Sequence, residues 1–171
     1  MPLCRQNSPW GTIVDSIRLS LLEAEIKAQL DKIEQVFALL EARTTNFQPD
    51  NPGSIESVAY QLHNVYNAVE YLMEIVAKAF ENNVTDLSRW HTQLLDRMNL
   101  EISGVRPALL AKETNTLLHE LRAFRHFFRH AYGIPLDFIR VEQNLHKARQ
   151  VRSLVARDTA LFLKALQIDK S

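Results

Sequence analysis

The chain has 171 residues, of which 46% are hydrophobic and 23% are charged, and this composition is typical of one globular domain with a real core. Its 20 basic and 20 acidic residues give a formal net charge of zero, which excludes a polycation that binds nucleic acid through total charge. A single cysteine, Cys4, excludes a disulfide framework, and no run approaches the roughly 20 apolar residues of a membrane span. We therefore expect a soluble, cytoplasmic protein.

Apolar residues spaced by three and four predict helices along most of the chain, and no strand pattern interrupts them. Residues 1–11 are expected to form a flexible arm, and residues 12–168 a single helical domain. The five predicted helices cover 12–43, 55–82, 86–102, a fourth that ends near Gly133 and a fifth that ends near residue 167. Ser54 and Asp137 are the predicted N-caps of the second and fifth helices. The predicted fold class is all-α, an up-and-down bundle of about five helices.

Charge is distributed unevenly between the two halves of the chain. Residues 21–81 contain ten acidic and four basic residues, whereas residues 112–157 contain nine basic and four acidic residues. This asymmetry is compatible with two interpretations. Either the C-terminal half binds an anionic partner, or acidic and basic helices attract each other within the bundle.

The fourth predicted helix carries its basic residues on one side. On a wheel of about 3.6 residues per turn, its leucines and phenylalanines fall on the opposite side. The resulting cationic face consists of His119, Arg122, Arg125, His126, Arg129, His130 and Tyr132. Guanidinium groups hold phosphate with paired hydrogen bonds, and imidazoles exchange protons near neutral pH. The face suits a phosphate-rich ligand, unless it is a solvated helix surface or pairs with acids on a neighbouring helix.

A metal site is a weaker interpretation of the same face. His126 and His130 lie one helical turn apart, which is the spacing of many half-sites for metals. No carboxylate or cysteine in the same turns completes a ligand set, and the neighbouring arginines repel a divalent cation. We expect no metal and no cofactor.

Arg125 and His130 fit acid–base chemistry at a phosphate better than metal binding, but their spacing raises a geometric problem. Residues five apart lie about 140° apart on an ideal helix, so the two side chains do not line up. Either the helix is distorted near Gly133, or the site is completed across a two-fold dimer. Because both residues lie on the polar face, replacing either with alanine is expected to cost little stability.

Arg125 and His130, with four residues between them and followed by Ala131-Tyr132, match the R-x4-H-x-Y motif of the HEPN superfamily, in its HepT-like ribonuclease toxin branch. The resemblance covers residues 54–166. Its other matching positions are Tyr66 to Glu70, Trp90-His91, Leu94-Leu95, Met98, Gly104, Arg106-Pro107, Phe124 to His126 and Leu136-Asp137.

The resemblance implies a helical bundle that dimerises and brings two motifs into one cleft. Such proteins cleave RNA without a metal and leave a cyclic phosphate. Arg125 would stabilise the scissile phosphate, and His130 would act as acid or base. Arg122, His126 and Arg129 would add contacts to the RNA phosphates. The implied partner is a nucleotidyltransferase antitoxin that adds AMP to the motif tyrosine, which is Tyr132 in this chain, and so blocks the cleft.

Two other functions remain compatible with the sequence. Some HEPN proteins no longer cleave RNA and serve as partners or scaffolds for a nucleotidyltransferase. A structural bundle with a basic surface would carry neither activity. An intact motif favours the ribonuclease.

Overall fold

The computed structural model describes residues 16–80, 87–131 and 133–168. The described residues form five α-helices: α1 (Ser16–Thr44), α2 (Pro52–Phe80), α3 (Leu87–Met98), α4 (Lys112–His130) and α5 (Phe138–Ile168). In these segments β pairing is limited to one isolated bridge between Ile102 and Arg106. The all-α bundle predicted from the sequence is therefore confirmed. The flexible arm predicted for residues 1–11 lies outside the described residues.

Helix α2 is the centre of the bundle, because α1, α3, α4 and α5 all pack against it. Contact on several sides requires a helix that is apolar around most of its circumference. The buried residues of α2 are Ile55, Val58, Ala59, Gln61, Leu62, Val65, Tyr66, Val69, Leu72, Met73, Val76 and Ala77. Any polar side chain on this helix must therefore find a partner or reach the edge of the core.

The start of α2 differs from the prediction. The helix begins at Pro52, and Asn51 is its N-cap, since the Asn51 Oδ1 accepts a hydrogen bond from the backbone N–H of Ser54 at 3.1 Å. Ser54 lies in the first turn, so the prediction that it caps the helix is wrong. Proline is favoured at the first helical position because its missing N–H has no acceptor there. At α5 the prediction is confirmed, because Asp137 Oδ2 accepts from the Arg140 N–H at 3.0 Å.

Helix α3 ends at Met98, earlier than the predicted residue 102. The chain then turns through Gly104, which has a φ of 73°, and closes on itself with the Ile102 N–H donating to the Arg106 carbonyl at 2.9 Å. The fully buried Arg106 guanidinium supports this turn. It donates to the carbonyl oxygens of Arg97 at 2.9 Å, Leu100 at 3.0 Å and Pro107 at 3.1 Å.

The basic residues of α5 pair with the acidic residues of α1. Arg149 holds Glu41 through two hydrogen bonds of 2.9 and 2.7 Å, and Arg152 holds Glu34 in the same manner. The hydrogen bond from Arg149 also lowers the pKa of Glu41. Attraction between acidic and basic helices therefore accounts for this part of the charge asymmetry, and the basic residues of α4 need a separate explanation.

None of the described helices combines the length and the apolar character that crossing a membrane requires.

Replacing Arg106 with leucine should destabilise the protein by about 3 kcal/mol or more, because several buried carbonyl oxygens lose their donor at once. Urea unfolding followed by circular dichroism measures this change. Arg149→Leu is the matched control, since it removes an exposed ion pair that is worth at most about 1 kcal/mol. Equal losses of stability in the two variants would contradict the role assigned to Arg106.

Candidate functional site

Helix α4 buries a stripe that is rotated from the predicted one. Its buried residues are Thr114, Leu118, Leu121 and Phe124, while Leu117, Phe127 and Phe128 are only partly buried. A stripe with this spacing passes next to residue 125 one turn after Leu121. Arg125 therefore lies at the edge of the core, and the expectation that it occupies a fully polar face is wrong.

Three residues of α2 hold the guanidinium of Arg125, and we call them the arginine seat: Tyr66, Asn67 and Glu70. The Arg125 Nε donates to the Asn67 Oδ1 at 2.6 Å, and its Nη2 lies 3.6 Å from the Glu70 Oε2. The guanidinium carbon lies 5.5 Å from the centre of the Tyr66 ring. The Arg125 side chain is 23% exposed as a result. One edge of the guanidinium, formed by Nε and Nη2, therefore faces the protein through a hydrogen bond and an ion pair, which orients its plane.

Within the arginine seat, Tyr66 and Glu70 also interact with each other. Burial, then the charge of Glu70 and a hydrogen bond to it, raise the pKa of Tyr66 above its ordinary value. The phenol thus stays protonated and donates to the Glu70 carboxylate, which also faces Arg125. Glu70 is therefore oriented by one group while it attracts the other. Among the described residues, no group accepts a hydrogen bond from the remaining Nη1 of Arg125.

His130 has a different environment from Arg125. Its Nδ1 lies 2.8 Å from the backbone carbonyl of His126, and its ring centre lies 4.4 Å from the ring of His126. A carbonyl oxygen only accepts hydrogen bonds, so Nδ1 must carry the proton of the neutral ring. The Nε2 then has a free lone pair on an exposed side chain. The neutral ring therefore presents Nε2 as a proton acceptor.

The end of α4 bears on how Arg125 and His130 could act together. The chain is α-helical through His130, and it leaves the helix at Ala131 with φ −81° and ψ 48°, before Gly133 with φ 71°. The turn at Gly133 therefore comes after both residues and does not reduce the angle between them. Arg125 faces α2 while His130 is exposed to solvent. Of the two arrangements expected from the sequence, completion across a dimer stays a prediction.

The other predicted site residues occupy several positions. Arg122 is partly buried, and its positive charge acts to lower the pKa of Tyr66 against the larger effect of burial. It also has contacts within the chain. His126 and Arg129 are exposed. The Nε2 of His119 lies 2.7 Å from the Oδ1 of Asp96 on α3, so His119 contacts α3. Tyr132, the residue predicted to receive AMP, lies outside the described residues.

His63 was not among the residues predicted from the sequence, and Asn67 lay within the matching stretch Tyr66 to Glu70 without an assigned role. The Asn67 Nδ2 lies 2.9 Å from the His63 Nε2. Burial, followed by the charges of Arg125 and Arg129, lowers the pKa of His63 below 6.5. A signal was present in the sequence, because His63, Asn67 and Glu70 recur at intervals of four and three, which places them on one side of α2.

The part of the chain that the structure describes contains no group of three or more His, Cys, Asp or Glu residues arranged to hold a metal ion.

A family model described as "HepT-like protein" matches residues 57–166, which is more than half of the chain. The chain belongs to the HepT-like family, within the HEPN superfamily. This confirms the family expected from the R-x4-H-x-Y motif, and the matched segment contains Arg125, His130 and the arginine seat. No curated protein and no solved structure matched the chain.

Arg125→Ala should lower the free energy of unfolding by about 1–3 kcal/mol, because the Asn67 and Glu70 side chains then lose a charged partner near the core. His130→Ala should change it by less than about 0.5 kcal/mol, since its ring is exposed. Chemical denaturation of both variants tests this difference. Arg129→Ala, an exposed arginine on the same helix, is the matched control for Arg125. If Arg125→Ala and Arg129→Ala were equally stable, the seat would not contribute to folding.

Proposed function

We propose that the protein is an endoribonuclease toxin that cleaves RNA without a metal ion, with Arg125 and His130 as its catalytic residues. One observation carries the proposal. The arginine seat orients a guanidinium whose Nη1 is not used by any described residue, and the same helix presents a histidine whose Nε2 has a free lone pair. Membership of the HepT-like family supports the same conclusion.

The proposed reaction needs the two groups in different roles. The 2′-hydroxyl of a ribose attacks the adjacent phosphorus, and a base removes the hydroxyl proton as the new O–P bond forms. The bond from phosphorus to the 5′-oxygen breaks, and this oxygen takes up a proton. The products are a 2′,3′-cyclic phosphate and a 5′-hydroxyl. The His130 Nε2 acts as the base or, once protonated, as the acid, and Arg125 stabilises the negative charge on the phosphorane.

The arginine seat is suited to charge stabilisation. A donor that is already oriented needs no rearrangement when negative charge develops on the phosphate oxygens, and this is a major source of catalysis. Asn67 and Glu70 hold the Nε and Nη2 of Arg125, so the Nη1 is the donor left for a phosphate. The exposed Arg129 and His126, together with Arg122, would add contacts to neighbouring phosphates.

The complete site is proposed to combine residues of two protomers. On one α4 helix, Arg125 and His130 lie about 140° apart, so a single phosphate cannot contact both in a favourable geometry. A two-fold axis close to the C-terminal end of α4 would place Arg125 of one protomer opposite His130 of the other. Each dimer would then contain two composite sites.

Regulation is proposed to act through Tyr132. A nucleotidyltransferase antitoxin would add AMP to its hydroxyl, two residues after His130 in the chain. The added phosphate would bring negative charge and bulk close to His130 in the chain. The negative charge would repel an RNA backbone, and the bulk would block its access.

Incubation of purified protein with total RNA in excess EDTA tests the reaction. Wild type should cleave and leave 2′,3′-cyclic phosphate ends, and His130→Ala should lose at least about 100-fold in rate, as expected for an acid–base group. His146→Ala, which changes an exposed histidine on α5, is the matched control and should cleave like wild type. If protein free of AMP by intact mass cuts no RNA, a non-catalytic partner or scaffold for a nucleotidyltransferase becomes the better assignment.

Mixing of inactive variants tests the shared site. When Arg125→Ala and His130→Ala protomers exchange, heterodimers contain one site with both residues intact. Random mixing should restore about one quarter of the wild-type rate, because half of the dimers are mixed and each has one intact site of two. Sites confined to single protomers would give no recovery at any mixing ratio.

A further inference from the structure

We propose that His63 and Asn67 form a positioning relay for Arg125, in which a neutral His63 keeps the Asn67 amide in the orientation that accepts from the arginine. The relay deepens the proposed function, because it would regulate the same arginine. Two contacts link His63 through Asn67 to Arg125. They are the 2.9 Å contact between His63 and Asn67 and the 2.6 Å hydrogen bond between Asn67 and Arg125.

The direction of these hydrogen bonds follows from the chemistry of the groups. The Nε of arginine only donates, so the atom of Asn67 that faces it must be the amide oxygen. The amide NH2 then points at His63 and must donate, because an amide nitrogen cannot accept. The His63 Nε2 is therefore the acceptor and carries no proton. Neutral His63 has its proton on Nδ1.

This arrangement leaves one polar atom of His63 without a partner, and the hydrogen bond between Arg125 and Asn67 compensates for that loss. The His63 Nδ1 is buried and has no hydrogen-bond partner among the described residues. Turning the Asn67 amide over would relieve the constraint on His63, but it would place an NH2 against the Arg125 Nε–H at 2.6 Å. Two donors at that distance repel each other, and one of them belongs to a charged group. The amide orientation in the structure is therefore the one that satisfies Arg125, and a His63 Nε2 without a proton holds it by accepting from the Asn67 NH2.

The groups around His63 oppose its protonation. From α4, Arg125 and Arg129 act on it with positive charge, and the ring of Phe128 lies 5.9 Å away. On α2 itself, the ring of Tyr60 lies 6.5 Å away. The carboxylate of Glu70 is engaged with Arg125 and Tyr66.

Protonation of His63 would reverse the relay. With a proton on Nε2, His63 becomes a donor there, and Asn67 can satisfy it only by presenting its oxygen. The Arg125 Nε then loses its acceptor, and the guanidinium is no longer held at that edge. The pKa of His63 lies below the ordinary 6.5, so the relay is intact at neutral pH and opens only as the solution becomes clearly acidic.

Three substitutions separate the parts of the relay. In His63→Gln, the amide oxygen can occupy the position of Nε2 as a permanent acceptor that does not titrate. In His63→Leu, the acceptor is removed and the bulk is retained. In Asn67→Asp, an acceptor for Arg125 remains, but the donor to His63 is lost, and the new negative charge should raise the pKa of His63.

Nuclear magnetic resonance of the Arg125 Nε–H group tests the relay without any activity. In wild type its signal should shift or broaden between pH 7.5 and 5, together with the titration of the His63 ring. In His63→Gln it should stay constant over the same range. In Asn67→Asp the His63 titration should move to higher pH. An Arg125 signal that behaves identically in wild type and His63→Gln overturns the relay.

The pH dependence of RNA cleavage tests its consequence. His63→Leu should reduce kcat about tenfold or more at pH 7.5 through misorientation of Arg125, whereas His63→Gln should retain most of it. In His63→Gln the rate should also fall less steeply below about pH 6, with His146→Gln as the control that follows wild type. If His63→Gln is as impaired as His63→Leu while both remain folded, the relay is wrong. If wild type cleaves no RNA, the ribonuclease proposal fails and the resonance experiment still decides the relay.

Discussion

The crowding of α2 is the constraint from which the rest of the structure follows. Four helices pack against it, so most of its circumference is apolar and its polar side chains have little access to water. A polar group near the core that is left without a partner costs about 1–3 kcal/mol, and α2 carries the partly buried side chains of Asn67 and Glu70. Arg125 enters from α4 and satisfies Asn67 and Glu70 together. The packing of α4 against α2 therefore also sets the position of Arg125.

This packing holds Arg125 in place and leaves the other motif residue, His130, exposed. Arg125 is partly buried and forms an ion pair with Glu70, whereas His130 contacts the backbone only through Nδ1. A fixed donor suits stabilisation of a developing charge, and an accessible imidazole suits proton transfer. The same division accounts for the expected difference in stability, since removing the fixed residue leaves partners behind and removing the free one does not.

Sequence patterns predicted the helices well and their ends less well. Periodic apolar residues located all five helices, because burial of one face follows directly from spacing. The start of α2 was misplaced by three residues, since Asn51, Pro52 and Ser54 all lie in a plausible cap and only the backbone geometry selects Asn51. The end of α3 was misplaced because Ile102 continues the apolar pattern. Its backbone instead pairs with Arg106 across the turn at Gly104, a conformation that helical periodicity does not encode.

For the site, the sequence by itself determined the family, the pair of Arg125 and His130, and their angular separation on a regular helix. It could not determine how α4 is rotated against α2, so a solvated Arg125 and an Arg125 paired with an acid on a neighbouring helix both stayed open. Only the tertiary structure brought Arg125 to Tyr66, Asn67 and Glu70, more than fifty residues earlier in the chain. The physical reason is that helical periodicity defines faces within one helix, whereas the rotation of one helix against another depends on the shapes and charges of both.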